Sequence, residues 1–340
     1  MEEKFQIPNK RPWINYKETG GCQWNSDDWS CAYDTSTMVL FFIYRNFTCH
    51  QQNKWEDLSK IHHTLSYNFV KTETSLIYPN AIVNSCQILN HTRDSLHDWL
   101  YIKDYSAFPQ HGPVTTAIKK IFDCILIMEN SFISVHYKCP RTTSCTFSFT
   151  SNCNNTLPTL LTSSLWKFWN NTNIDIVPIH SIQKWFDCYL QHTLTTKTIS
   201  NIFCNDNSQT QHPPHLSVDK PPTTIAFEIL PDIVIDILHS TVLQIPCLTS
   251  NYIYNLRAIT YAGHNHFTAC LINNDGQILS YDSQQQNGTP WTDENCCHLH
   301  LEAHRLNLTK FANHSIHLLI FTHTETELDS RPTFSQSRAH

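Results

Sequence analysis

Cys31 is the side chain in this sequence best placed to do covalent chemistry. It closes a polar, turn-rich stretch, Asn25-Ser-Asp-Asp-Trp-Ser30, and opens a run that becomes apolar at Met38-Val-Leu-Phe-Phe-Ile-Tyr44. That run predicts a buried helix beginning near Ser30. A thiol at a helix N-terminus feels the positive end of the macrodipole, which favours the thiolate. The free N–H groups there can also hold a developing oxyanion. Asp34, one turn further on, opposes thiolate formation, so a cationic imidazole is needed as partner.

The plainer alternative, a buried structural cysteine beside a helix start, applies to any of the fourteen cysteines. What separates Cys31 is the pattern Trp29-Ser-Cys-Ala-Tyr33, a small residue, then Cys, then an aromatic nearby, close to the surroundings of papain-type nucleophiles. The imidazole is expected from His266, which opens His266-Phe-Thr-Ala-Cys-Leu-Ile272. Before it, Tyr261-Ala-Gly-His-Asn265 reads as a mobile loop. Asp282 follows on the returning strand, in Ser280-Tyr-Asp-Ser283, after a strong turn signal at Asn273-Asn-Asp-Gly276. A three-residue loop, Asn274 to Gly276, sets Asn273 against Gln277 and Asp282 against Thr268. Asp282 then shares a face with His266 as a diagonal neighbour. A two-residue loop would put it on the other face. With three, the set is thiolate, base and orienting acid. The oxyanion helper should be an amide just upstream of the thiol, for which Asn25 is preferred over Gln23; its alternative is a turn-forming Asn.

The sequence resembles the ubiquitin-specific protease family, in particular divergent versions found in fungal transposon-like proteins. The resemblance lies in Ser30-Cys-Ala-Tyr-Asp34 as a Cys box. It lies also in Tyr254-Asn-Leu-Arg-Ala-Ile-Thr-Tyr261, His266-Phe-Thr-Ala269 and Gly276-Gln-Ile-Leu-Ser-Tyr-Asp282 as a His box. Asn90-His-Thr-Arg-Asp94, Ala107-Phe-Pro109 and Ile225-Ala-Phe-Glu228 look like connecting segments. Where the family has Asn-Thr before the nucleophile this chain has Trp29-Ser30, and where it has Gly before the His this chain has Asn265. The resemblance implies a thumb–fingers–palm fold, cleavage after a ubiquitin-like Gly-Gly terminus, and catalytic roles for Cys31, His266 and Asp282. It also implies a ubiquitin or ubiquitin-like protein as substrate. Two other readings of the same residues stand beside it: an inactive module that binds a ubiquitin-like partner, and another papain-like thiol enzyme such as a transglutaminase.

The elements that must carry these residues follow an α+β order. Helices are expected at 51–70, at 93–103 and from Val114 to Met128, so the first ~130 residues read as mainly helical. Strands are expected at Ser131–Lys138 and Thr146–Thr150, then at Thr223–Leu230, Ile253–Tyr261, His266–Ile272, Gln277–Tyr281 and Ile316–Thr322. Asn205–Pro222 reads as a polar, Pro-rich loop. The domain reading is an extended lead-in at 1–25, a helical thumb-like part at 26–130, a fingers-like insertion at 131–215, a palm-like sheet at 216–325 and a disordered tail at 326–340.

Composition bounds the partners. The chain has 340 residues, 40% of them apolar, and a formal net charge of -6 with no Lys/Arg-rich block. Nucleic-acid binding is therefore not expected, since phosphate neutralisation supplies most of its affinity. No apolar run approaches the ~20 residues of a membrane span, so no membrane partner is expected either. The start, MEEKFQIPNKRPW, carries no apolar stretch of signal-peptide type. A reducing compartment, cytoplasmic or nuclear, is the expectation, with most thiols free and buried. No CxxC occurs among Cys139, Cys145, Cys153, Cys188 and Cys204, so no zinc ribbon and no cofactor is expected. Cys296-Cys-His298, His300 and His304 form a dense cluster read as a surface loop, with a ligand site as the alternative because His298 and His300 would share a strand face and His300 and His304 a helix face.

Overall fold

The computed structural model describes residues 20–26, 30–77, 84–109, 117–126, 181–187, 222–230, 235–237, 240–246, 251–291 and 313–324. It also describes residue 308 and strand segments at 133–138, 146–147, 160–161, 215–218 and 310–311. The cysteines at 139, 145, 153, 188 and 204, and the cluster at 296–304, lie outside the described residues.

Five helices come first: α1 (Cys31–Asn46), α2 (Cys49–Glu56), α3 (Lys60–Ile77), α4 (Ser85–Lys103) and α5 (Ile118–Leu126). Helix α1 is buried continuously from Cys31 to Tyr44, as a helix must be when its apolar residues go round its circumference. It stops at Phe47, and Thr48 opens α2 with a capping box, its side chain accepting from the Gln51 N–H while the Gln51 side chain accepts from the Thr48 N–H. In α3, Ile61, Leu65, Phe69 and Thr72 are buried at helical spacing. Phe69 meets Phe41 and Tyr44 of α1 and Trp55 of α2, with ring centroids 5.4, 5.6 and 6.3 Å apart. Helix α4 begins eight residues earlier than the spacing at 93–103 predicts, because Asn84 caps it by accepting from the Gln87 N–H.

The rest is mainly antiparallel sheet. Three strands, β1 (Ile133–Lys138), β2 (Thr146–Phe147) and β4 (His215–Val218), form one sheet in the order β2-β1-β4. The strand at His215–Val218 falls inside the stretch expected to be loop, so that expectation is corrected. Its four residues are too few to show an alternation between flanking prolines. The larger sheet runs β3 (Leu160–Leu161), β5 (Thr224–Glu228), β11 (His314–His323), β7 (Asn251–Gly263), β8 (His266–Ile272) and β9 (Ile278–Tyr281). In it β6 (Val242–Pro246) also pairs β7, and β10 (Lys310–Phe311) pairs β11. Strand β3 pairs parallel with β5; the other ladders are antiparallel.

Alternation along the strands gives this sheet two buried faces. One cross-strand row is Ala226, Ile320, Ala258, Leu271 and Leu279. These residues join the helices in one core, with α1 against β7 and β8 and α5 against β5. The neighbouring row, Phe227, Leu319, Ile259 and Cys270, belongs to a second core with Trp185 and Phe186. At about 1.5–3 kcal/mol for each large apolar side chain fully buried, the two cores dominate the stability and fix α1 on the sheet.

Candidate active site

The first turn of α1 lies against β8. Thr35 Oγ1 donates to the Phe267 carbonyl at 3.1 Å, which ties the helix one turn after Cys31 to the strand one residue after His266. The Cys31 thiol in turn points at the Asn265 carbonyl, 3.7 Å away. Two residues 235 positions apart in sequence are thus brought to one end of the sheet.

Strand β7 continues to Gly263, and only His264 and Asn265 make the turn into β8, with Gly263 opposite His266. The loop expected to be mobile is instead a two-residue turn. Both turn residues have positive φ, 49° and 60°, the geometry of a tight hairpin whose twist matches the strands. Asn is among the few non-glycine residues that tolerate this region, which accounts physically for Asn265 where the resembled family has Gly.

The β8–β9 hairpin has the three-residue loop. Gly276 has φ 79° and its N–H donates to the Asn273 carbonyl, while the Asn273 N–H donates to the Gln277 carbonyl. Ala269 pairs Tyr281, so the register carries Asp282 to Thr268 and makes it the diagonal neighbour of His266. The two side chains meet: His266 Nε2 and Asp282 Oδ1 are 2.8 Å apart. The Asp282 carboxylate also accepts from the Gln284 N–H at 2.9 Å and the Gln285 amide at 3.0 Å. Burial pushes Asp282 up, but the bond to His266, followed by that from the Gln284 N–H, holds it below the ordinary carboxylate value. Burial works against an imidazolium at His266. The Asp282 bond and then the adjoining Cys31 side chain outweigh it and raise His266 to about 9. Its Nδ1 makes no hydrogen bond of ordinary geometry. The His314 ring stands edge-on to it, centroids 5.7 Å apart.

Asp34 is not loose beside the thiol, as the sequence would have it. It is fully buried, accepts from Ser30 Oγ at 2.7 Å and is paired with Arg93 at 3.0 Å. Burial drives its carboxyl up, and although Arg93 and Ser30 pull it back it stands at about 6.

Residues 20–25, expected to be part of an extended lead-in, form a strap packed between α4 and the turn after β9. Tyr281 Oη donates to the Cys22 carbonyl at 3.0 Å, the Trp24 N–H donates to the Ser283 carbonyl at 3.3 Å, and Gln23 N–H donates to Asn90 Oδ1 at 2.9 Å. Backbones nearly touch here: a Cβ on Gly21 would lie 1.6 Å from the Gly288 carbonyl oxygen, and one on Gly288, whose φ is 72°, would lie 2.0 Å from that of Cys22. Gly288→Ala should therefore cost about 2–4 kcal/mol in a thermal or denaturant melt, from strain and forced separation together. Asn25 ends the strap. Its N–H donates to Ser30 Oγ at 2.7 Å and its carbonyl accepts from the Ser30 N–H at 3.3 Å, which anchors its main chain one residue before Cys31.

Two residues of this arrangement were missed in the sequence. Arg93 had a signal: Leu89, Leu96 and Leu100 form a buried stripe on α4, and position 93 falls within it, so a charge there requires a buried partner. His314 had none, because only strand pairing brings it to His266.

No family model matches the chain, and no curated protein matches it. Solved structures do. The SAGA DUB module of Ubp8, Sgf11, Sus1 and Sgf73 bound to monoubiquitin is 14% identical with a TM-score of 0.36, over 95% of this chain and 72% of that one. The Ubp8-Sgf11-Sgf73-Sus1 SAGA DUB module is 13% identical with a TM-score of 0.40, over 91% and 69%. The Saccharomyces cerevisiae Pan2 pseudoubiquitin hydrolase-RNA exonuclease module, in complex with RNA, is 11% identical with a TM-score of 0.47, over 95% and 56%.

Proposed function

We propose that this chain is a cysteine hydrolase of papain-like architecture that cleaves peptide or isopeptide bonds after a ubiquitin-like C-terminus. The observation that carries the reading is the His266–Asp282 pair, 2.8 Å apart, standing against Cys31 at the first residue of α1. The substrate class is supported by the Cys-box and His-box resemblance. In this reading the helices are a thumb-like part, residues 131–215 a fingers-like insertion and residues 216–325 a palm-like sheet.

The chemistry is acyl transfer through a thioester. Cys31 gives its proton to His266 and its sulfur attacks the carbonyl carbon of the terminal glycine. The carbonyl electron pair moves onto oxygen, where the N–H groups at the start of α1 and the Asn25 amide stabilise it. Collapse of this oxyanion expels the amine, which takes the proton from His266. Water, deprotonated by His266, then attacks the thioester and the sulfur leaves. Asp282 holds the ring through Nε2, so that Nδ1 serves the sulfur.

The test is incubation with ubiquitin carrying a thiol-reactive C-terminal group, followed by peptide mapping. An adduct on Cys31, together with turnover of a ubiquitin C-terminal fluorogenic amide, supports the reading. Ubiquitin binding with neither adduct nor turnover would assign the chain to the inactive binding modules instead.

A further inference from the structure

Arg93 is a buried charge that the proposed chemistry does not use. One guanidinium on α4 joins two other segments. Its Nη1 donates to the Gln23 carbonyl of the strap at 2.7 Å and to Asp34 Oδ1 of α1 at 3.0 Å. Within α4 it donates from Nε to Asp94 Oδ1 at 2.9 Å, and Nη1 lies 3.5 Å from Asn90 Oδ1. The connection closes into a ring. Asp34 accepts from the Ser30 hydroxyl at 2.7 Å, and the Ser30 oxygen accepts from the Asn25 N–H at 2.7 Å. Arg93 is thus bonded to the strap at Gln23 and to α1 at Asp34, one on each side of the short junction whose end residues, Asn25 and Ser30, are bonded to each other. The ionisable groups around it are Asp34, Asp94, the Cys22 and Cys86 thiols and Tyr281, and around Asp34 itself they are Arg93, Cys22 and Tyr281.

We propose that Arg93 is a positioning residue. It sets the strap against the first turn of α1, so that the Asn25 amide and the Cys31 sulfur face the same carbonyl, and it touches no substrate itself. Five planar donors suit it to hold a carbonyl and two carboxylates together, a task a lysine ammonium performs poorly. The inference rests on the reading of Cys31 as nucleophile. The competing role is simpler: Arg93 only neutralises Asp34.

Hydrogen exchange separates the two, because the strap amides of Gln23, Trp24 and Asn25 are all bonded, to Asn90 Oδ1, the Ser283 carbonyl and Ser30 Oγ. In Arg93→Met these amides should exchange about tenfold faster or more, with the β8 amides unchanged. Arg93→Lys should be intermediate, and serves alone should the methionine variant not fold. In Arg93→Met/Asp34→Asn the melting temperature should recover while strap exchange stays fast. Turnover of the ubiquitin amide should fall in kcat with KM nearly kept. Parent-like strap exchange in the methionine or lysine variant, or full recovery of strap protection in the double variant, overturns the proposal. A parent that forms no adduct with the ubiquitin probe sinks the functional reading, and strap exchange still decides the role of Arg93.

Discussion

Alanine at position 31 is expected to reduce turnover of a ubiquitin C-terminal amide by about 10⁴-fold or more, to the background of the assay. In the proposed mechanism the sulfur is the atom that forms the thioester, and the described surroundings hold no second nucleophile at that point. Cys22 is fully buried, with its thiol directed at the Leu89 carbonyl. Its pKa is raised well above the ordinary value, first by burial and then by Asp34. The fold should survive. Cys31→Ala removes one sulfur at the end of a helix that remains anchored by Thr35 on Phe267, so the melting temperature should change by only a few degrees. Turnover retained in the alanine variant would remove Cys31 from the mechanism.

The second large effect concerns the pair behind the sulfur. His266→Ala should lower kcat by about 10³–10⁴-fold, because in the proposed mechanism it removes the group that takes and returns the proton. Asp282→Asn should also be severe. It keeps the shape but forfeits the charge that raises the imidazole against burial. The pH dependence gives the sign. His266 goes from about 6.5 to about 9 on folding, so the folded chain binds that proton more tightly than the unfolded one. The associated stability is fully present below about 6.5 and is lost as pH rises through about 9. In the parent, turnover that needs the imidazolium should decline as pH passes about 9. In Asp282→Asn that limb should move toward the ordinary histidine range, and the melting-temperature gap between the two should be wider at pH 6 than at pH 10. An unmoved limb would contradict the role given to Asp282.

Much of this site could be read in the sequence because its parts follow local rules. The change from turn residues to an apolar run marked the start of α1. The Asn-Asn-Asp-Gly turn fixed the β8–β9 register, and register alone decides whether Asp282 meets His266. What could not be read depends on contacts distant in sequence. The strap at 20–25 opens on a Gly-Gly turn signal after a stretch that holds Pro8 and Pro12, yet it is packed because Gly21 and Gly288 let two backbones approach. His264 and Asn265 suggested a loop because neither is the usual glycine of a tight turn, and the positive φ values came only with strand pairing. Asp34 looked like a charge opposing the thiolate because its partner, Arg93, is 59 positions away. Strand β6 was missed because Val242-Leu-Gln-Ile-Pro246 is short and ends in proline.

The central claim is that His266 makes Cys31 reactive, and a limiting dose of iodoacetamide at neutral pH tests it most directly. Cys49 is exposed, whereas Cys31 is 4% exposed, so accessibility alone favours Cys49. In the proposed reading the neighbouring His266 activates the sulfur and favours Cys31. The account predicts that peptide mapping finds Cys31 alkylated ahead of Cys49 in the parent, with the order reversed in His266→Ala. Alkylation of Cys49 first in the parent, or Cys31 reacting equally fast without His266, would contradict it.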